Sequence, residues 1–182
     1  MTDSKKTPRV QRLNWDEMFM NLAVIASKRT SCVVVVTGCV FVDKDKRILS
    51  MGYNGPTEGD LHCNEVGCAK IEGDPVTKKL KRCRGAHAEI NGIINCLNPK
   101  SLRGSTLYTV LFPCYDCMKA LNNAGIKEII YKDVYLRTQT GGEKMEEEDE
   151  ATELARAKGI KISKYEGKIY CDSERKEINQ KI

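Results

Sequence analysis

The chain has 182 residues, enough for one ordinary domain with a core of its own, and its 41% hydrophobic and 30% charged content describes a globular protein. No apolar run approaches the ~18 residues of a membrane span, and the polar start Met1–Arg9 lacks the apolar stretch of a secretion signal, so a cytoplasmic location is expected. The net charge of +5 is too modest and too clumped for a nucleic-acid surface, and no basic stripe interleaved with aromatics is present.

In chain order, Asn14 offers an N-cap for an amphipathic helix over residues 14–29, with Trp15, Met18, Phe19, Leu22, Ile25 and Ala26 on one face. The β-branched run Cys32–Val42 predicts a buried strand. A turn through Asp43–Arg47 then leads to a second strand, Ile48–Tyr53, giving an antiparallel hairpin. From Gly52 to Gly85 the pattern dissolves into Gly, Pro, Cys and charge, a long stretch that implies a function or an external staple. A helix His87–Leu97 stops at Asn98-Pro99. Thr106–Leu111 is a strand, Cys114–Asn123 a helix closed by Gly125, and Ile126–Tyr131 a strand. Residues 151–158 suit a short helix, and Ile160–Ser163 is β-like. This alternation after an opening hairpin predicts one α/β domain over 1–182, with a mixed sheet, helices on its faces and a cysteine-rich insertion at about 56–85.

Two charge runs interrupt the pattern. Lys78, Lys79, Lys81, Arg82 and Arg84 form a basic cluster, and Glu146, Glu147, Glu148, Asp149 and Glu150 an acidic one. Both read as solvated surface, with a phosphate-bearing ligand as the alternative beside the basic cluster.

Nine cysteines without a secretion signal do not read as a disulfide framework, and the number is odd. Two fragments give some of them a purpose: His87-Ala88-Glu89 and Pro113-Cys114-Tyr115-Asp116-Cys117, each opening a predicted helix. Cys114 and Cys117 stand three apart, so in a first helical turn their sulfurs point the same way. The positive end of the helix favours the thiolates that bind metal. Two thiolates and the His87 imidazole supply zinc with three ligands and leave a fourth position for water, the mark of a catalytic rather than a closed site. Glu89, two residues past the histidine, stands where a proton carrier for that water is needed, and this pairing is the signature of zinc deaminases. Either half alone could be a redox or structural feature; together they specify hydrolytic deamination.

These fragments resemble enzymes of the cytidine-deaminase fold, and more narrowly the deoxycytidylate deaminases. The resemblance spans about residues 14–135 and rests on Asn14-Trp15-Asp16, Ser31-Cys32, Gly52-Tyr53-Asn54-Gly55-Pro56, the His87 and Cys114 motifs and Gly125-Ile126. It implies a three-layer fold with a central mixed five-stranded sheet and helices on both faces, and the conversion of dCMP to dUMP and ammonia. It also implies substrate contacts from Asn54, Ala88 and Tyr135, although Asn54 before Gly55 is equally a turn residue and Tyr135 equally a surface aromatic at a strand end. A hexamer or dimer follows from the same likeness, as does control by dCTP with Mg2+ and by dTTP. So does a second, structural zinc, for which Cys32 and Cys63 are matching positions, Cys68 and Cys83 replacement thiols and His62 a competing ligand, the alternative being one zinc and several reduced thiols. Two departures stand out. Val33–Val36 replaces a stretch that is polar and basic in such enzymes, and the segment between Lys70 and Arg84 is lengthened.

The alternatives within the same chemistry are deamination of a modified dCMP, dCTP or cytidine, and, less favoured, of tRNA adenosine. A zinc-stabilised binding module is the non-enzymatic alternative, and it leaves Glu89 without a purpose.

Overall fold

In the computed structural model the described residues are 12–135 and 147–171, with side chains from Glu150 onward in the second stretch. The polar start and Glu146 lie outside them, as do the side chains of Glu147, Glu148 and Asp149. Among the described residues no helix is long and apolar enough to cross a membrane.

The first helix, α1, runs Trp15–Ser27 behind a complete capping box: the Asn14 side chain accepts from the Glu17 N–H, and the Glu17 carboxylate accepts from the Asn14 N–H. Strand β1 (Gly38–Val42) pairs antiparallel with β2 (Ile48–Tyr53) on one side and with β5 (Thr106–Leu111) on the other. Parallel pairing then adds β6 (Glu128–Asp133) and β7 (Lys161–Lys164), so the sheet order is β2-β1-β5-β6-β7. This is the expected mixed five-stranded sheet.

Both faces are covered, which is why every residue of β1 is buried. Along β1 the side chains alternate. Val40 and Val42 join Phe19, Met20 and Ala23 of α1 with Tyr108 and Ile130, while Cys39 and Phe41 join the other layer with Leu107 and Ile129. That second layer consists of α3 (Ala88–Ile94), α4 (Tyr115–Ala124) and α5 (Glu147–Ala157). Phe19 and Phe41, wholly removed from water, anchor the two layers at about 2–3 kcal/mol each.

The valine run departs from expectation: the strand begins at Gly38, and residues 32–37 form a loop. Its backbone is satisfied by side chains instead of a ladder. The Cys32 N–H donates to Thr30 Oγ1 and the Val35 N–H to Cys32 Sγ, while both ends of the Asn54 amide hold Val35 and Thr37. Hydrophobicity alone could not reveal that competition. The helix after His87 stops at Ile94 with Asn95 as its C-cap. A 3₁₀ turn, Pro99–Leu102, follows, and Leu97 is left in solvent.

The cysteine-rich stretch is closed at its base by a short antiparallel pair, β3 (Gly55–Pro56) with β4 (Gly85–Ala86). Within it lie a single helical turn, α2 (Cys63–Val66), and a series of tight turns. Asp74 accepts from Lys81 Nζ and from the Val76 and Thr77 N–H groups, which hold its carboxyl well below the usual range. Arg84 reaches back to the Gly67 carbonyl at 3.0 Å.

Candidate active site

His87 and Cys114 are both N-cap residues, with extended backbone (φ −74°, ψ 155° and φ −65°, ψ 167°) immediately before α3 and α4. The chain therefore delivers each at the positive end of a helix. Cys117, one turn into α4, is buried on the same side. His87 Nδ1 lies 3.4 Å from Cys114 Sγ and 3.3 Å from Cys117 Sγ, and the ligand atoms of all three residues lie within 4.8 Å of one another. With Zn–S near 2.3 Å and Zn–N near 2.0–2.1 Å, tetrahedral coordination asks for S···N separations of about 3.6 Å. The trio fits zinc both in donor type and in spacing.

Glu89 lies beneath the trio, 4% exposed, with Oε2 accepting from Cys117 Sγ at 3.5 Å. Burial pushes its carboxyl up, against the opposing pull of its own N–H and of His87. Cys114 ionises before Cys117, because the Cys117 thiol donates to its sulfur and His87 adds a further hydrogen bond. Its pKa falls to about 4. Cys117, whose thiol donates to Cys114 and is buried beside Glu89, is held up.

Close backbone packing fixes the end of α3. Ser50 Oγ donates to the Gly92 carbonyl, Asn91 Nδ2 to the Tyr53 carbonyl, and Cys39 Sγ to the Ala88 carbonyl. A Cβ on Gly52 would overlap the Ala88 carbonyl oxygen and stand 2.5 Å from the Gly92 nitrogen, so only glycine lets α3 lie this close to β2. Sequence reasoning named the Gly52–Pro56 fragment but missed the positioning by Gly52, Ser50, Asn91 and Cys39. A glycine inside a strand was the one available signal.

The other anticipated residues are placed as follows. Ala88 is fully buried at the start of α3. Asn54 is buried, and its amide binds the Thr37 N–H at 3.0 Å and the Val35 carbonyl at 2.8 Å. Tyr135 follows the end of β6 and is 43% exposed. Of the four thiols matched to a second metal, Cys63 lies near both Cys32 and Cys68, and its thiol is pushed up chiefly by burial. Cys83 is exposed, its sulfur accepting from the Gly85 N–H. His62 faces Ser31 Oγ at 2.9 Å. Among the described residues, only His87, Cys114 and Cys117 form a group of three or more with ligand atoms this close together.

A mixed sheet with a Cys₂His trio at two helix starts and a buried glutamate beneath it defines the class of zinc-dependent deaminases. The family profile described as the cytidine and deoxycytidylate deaminase zinc-binding region matches residues 13–133. The deoxycytidylate deaminase of Schizosaccharomyces pombe is 34% identical over 129 residues, 70% of this chain and 40% of that one. That of Mycobacterium phage D29 is 33% identical, covering 67% of this chain and 97% of its own. The crystal structure of the dCMP deaminase from cyanophage S-TIM5 in complex with dCMP and dUMP aligns with a TM-score of 0.62 at 26% identity, over 82% of this chain and 95% of that one. The chain thus belongs to the cytidine and deoxycytidylate deaminase family. It spans about two fifths of the fission-yeast relative.

Proposed function

We propose that the protein hydrolyses dCMP to dUMP and ammonia. The observation that carries this reading is the convergence of His87, Cys114 and Cys117 above the buried Glu89. The cyanophage enzyme, whose structure holds dCMP and dUMP, and the deoxycytidylate deaminases among its relatives support the choice of substrate.

His87 Nδ1, Cys114 Sγ and Cys117 Sγ are the atoms that hold zinc, which when bound supplies Lewis-acid activation and brings the pKa of water toward ~7. Glu89 Oε2 takes the proton of the attacking water and passes it to the ring nitrogen beside C4. Glu89 then takes the second proton from the new C4 hydroxyl and delivers it to the amino group, so that as the C4–O bond becomes the carbonyl the C4–N4 bond breaks and ammonia leaves. A carboxyl raised by burial suits this shuttle, since it gives up a proton less readily than an exposed one and returns it within one site. In this reading Ala88 at the start of α3, Asn54 in the facing loop and Tyr135 after β6 contact the bound nucleotide.

The finer parts of the reading extend from the family. They are a structural zinc on Cys32, Cys63, Cys68 and Cys83, a cytoplasmic homo-oligomer, and control by dCTP with Mg2+ and by dTTP. The nearness of Cys63 to Cys32 and Cys68 supports the metal. An apolar groove between α3 and α4, flanked by the exposed Ile94, supports a second copy.

Ammonia release from dCMP, dCTP and cytidine tests the proposal. Faster release from dCMP is expected, and preference for the unphosphorylated nucleoside would overturn the substrate assignment.

A further inference from the structure

Among the described residues two side-chain oxygens are buried without a hydrogen-bond partner, Thr37 Oγ1 and Ser105 Oγ. An unpaired buried hydroxyl destabilises the fold by a measurable amount, so each asks for a reason. The two stand at opposite ends of the sheet. Ser105 precedes β5, and its carbonyl accepts from the Lys127 N–H in the turn region farthest from the metal residues. Thr37 precedes β1 at the other end.

The facing of Thr37 follows from its neighbours. A Cβ on Gly38 would overlap the Ser27 and Ala23 backbone of α1, so position 38 faces α1, and positions 37 and 39 face α3. Cys39 confirms this: its sulfur lies 3.2 Å from the Ala88 carbonyl, and the charge of Glu89 acts on it. From Cys39 to Thr37 the strand advances about 6–7 Å. The direction is toward the metal end. Cys39 pairs with Gly52 and Thr109, and the next steps lead to Tyr53, which the start of α3 contacts through Asn91, and to Leu111, three residues before Cys114. Asn54 stands beside Thr37, accepting its N–H at 3.0 Å.

We propose that Thr37 is a specificity-determining residue whose hydroxyl hydrogen-bonds the 3′-hydroxyl of the bound deoxynucleotide. The inference rests on the deaminase reading above. The two residues from Cys39 back to Thr37 cover about 6–7 Å, close to the span from C4 of a deoxycytidine to C3′ of its pentose, which sets Thr37 level with the pentose when C4 lies over Glu89. The 3′-hydroxyl is the pentose group of a deoxynucleotide that can both give and take a hydrogen bond with a threonine hydroxyl. The bound nucleotide thereby satisfies a group the fold leaves unpaired.

Thr37→Val keeps the shape and removes the hydroxyl; Thr37→Ser keeps the hydroxyl; Ser105→Ala is the control at the far end of the sheet. For zinc-loaded proteins, Thr37→Val is expected to lower kcat/KM for dCMP and the affinity for dUMP by roughly tenfold each, the loss of one neutral hydrogen bond. Zinc content and Tm should be kept or raised. Thr37→Ser should retain most of the activity, and Ser105→Ala should change neither kinetic quantity. On 2′,3′-dideoxycytidine monophosphate the Thr37→Val penalty should vanish. Unchanged kinetics in Thr37→Val, or an equal penalty on the dideoxy substrate, overturns the proposal while leaving the deaminase reading intact. No turnover of dCMP by the unmodified protein sinks both.

Discussion

Two regions of this molecule concentrate cysteine, and they treat it differently. At the metal end, Cys114 and Cys117 ride on the first turn of a ten-residue helix whose other end is fixed by Gly125 in the left-handed conformation. His87 comes from a second helix start that β2 grips through Ser50, Gly52 and Asn91. The insertion between β3 and β4 has only one helical turn and a set of Asx and glycine turns, with Cys63 near Cys68 and, from outside the insertion, Cys32. Rigid elements anchored to a sheet hold the donors of the trio within ligand distance of one another. Among the described residues, the turns of the insertion bring no three such donors this close together.

The sharpest way to break the comparison is to remove one sulfur from each region. Cys117→Ala should abolish zinc at the catalytic trio and reduce dCMP turnover to background, with the fold retained by circular dichroism. Retention of turnover would place the chemistry elsewhere. Glu89→Gln comes next, with turnover lowered about 10²–10⁴-fold and zinc content unchanged. The same variant carries a pH signature in the metal-stripped protein. Burial raises the folded-state pKa of Glu89 above its unfolded value near ~4.3, so wild-type stability is lost as pH rises through the folded value. Glutamine cannot ionise, so the Tm difference in its favour should widen as pH rises from the unfolded value through the folded one. A difference independent of pH would show that the carboxyl is not desolvated.

Smaller effects sharpen the picture. Gly52→Ala forces α3 away from β2 and should destabilise the protein by about 1–3 kcal/mol, with kcat falling more than zinc content. Asn54→Ala leaves the Thr37 N–H and the Val35 carbonyl short of partners, for a further ~1–3 kcal/mol in denaturant titration. Cys68→Ser should be mildest for catalysis. Two zinc per chain should fall to one with dCMP turnover within about twofold, and a single zinc in the unmodified protein would remove the structural site from the account.

The legibility of the sequence follows the same division. The helix starts at His87 and Cys114 were visible because a metal trio restricts residue type and spacing together. A mixed sheet was legible in the hairpin and the alternation that follows it, while its five strands were implied by the family resemblance. Val33–Val36 misled because a β-branched run reads as strand, whereas Asn54, nineteen residues from Val35, supplies the competing backbone partners. Gly52 spoke only as a family fragment, since its purpose lies in a helix 36 to 40 residues further on. Thr37 was silent for the opposite reason: a threonine in an apolar run looks like one more strand residue, and only the fold shows its hydroxyl unpaired.

The central claim is that Glu89 moves the proton for a zinc held by His87, Cys114 and Cys117 while dCMP is deaminated. The direct measurement is chromatographic detection of dUMP from dCMP by wild type and Glu89→Gln at matched zinc content. The account predicts stoichiometric dUMP and ammonia from the wild type and a trace from the variant. Comparable dUMP from both, with zinc equal, would contradict it.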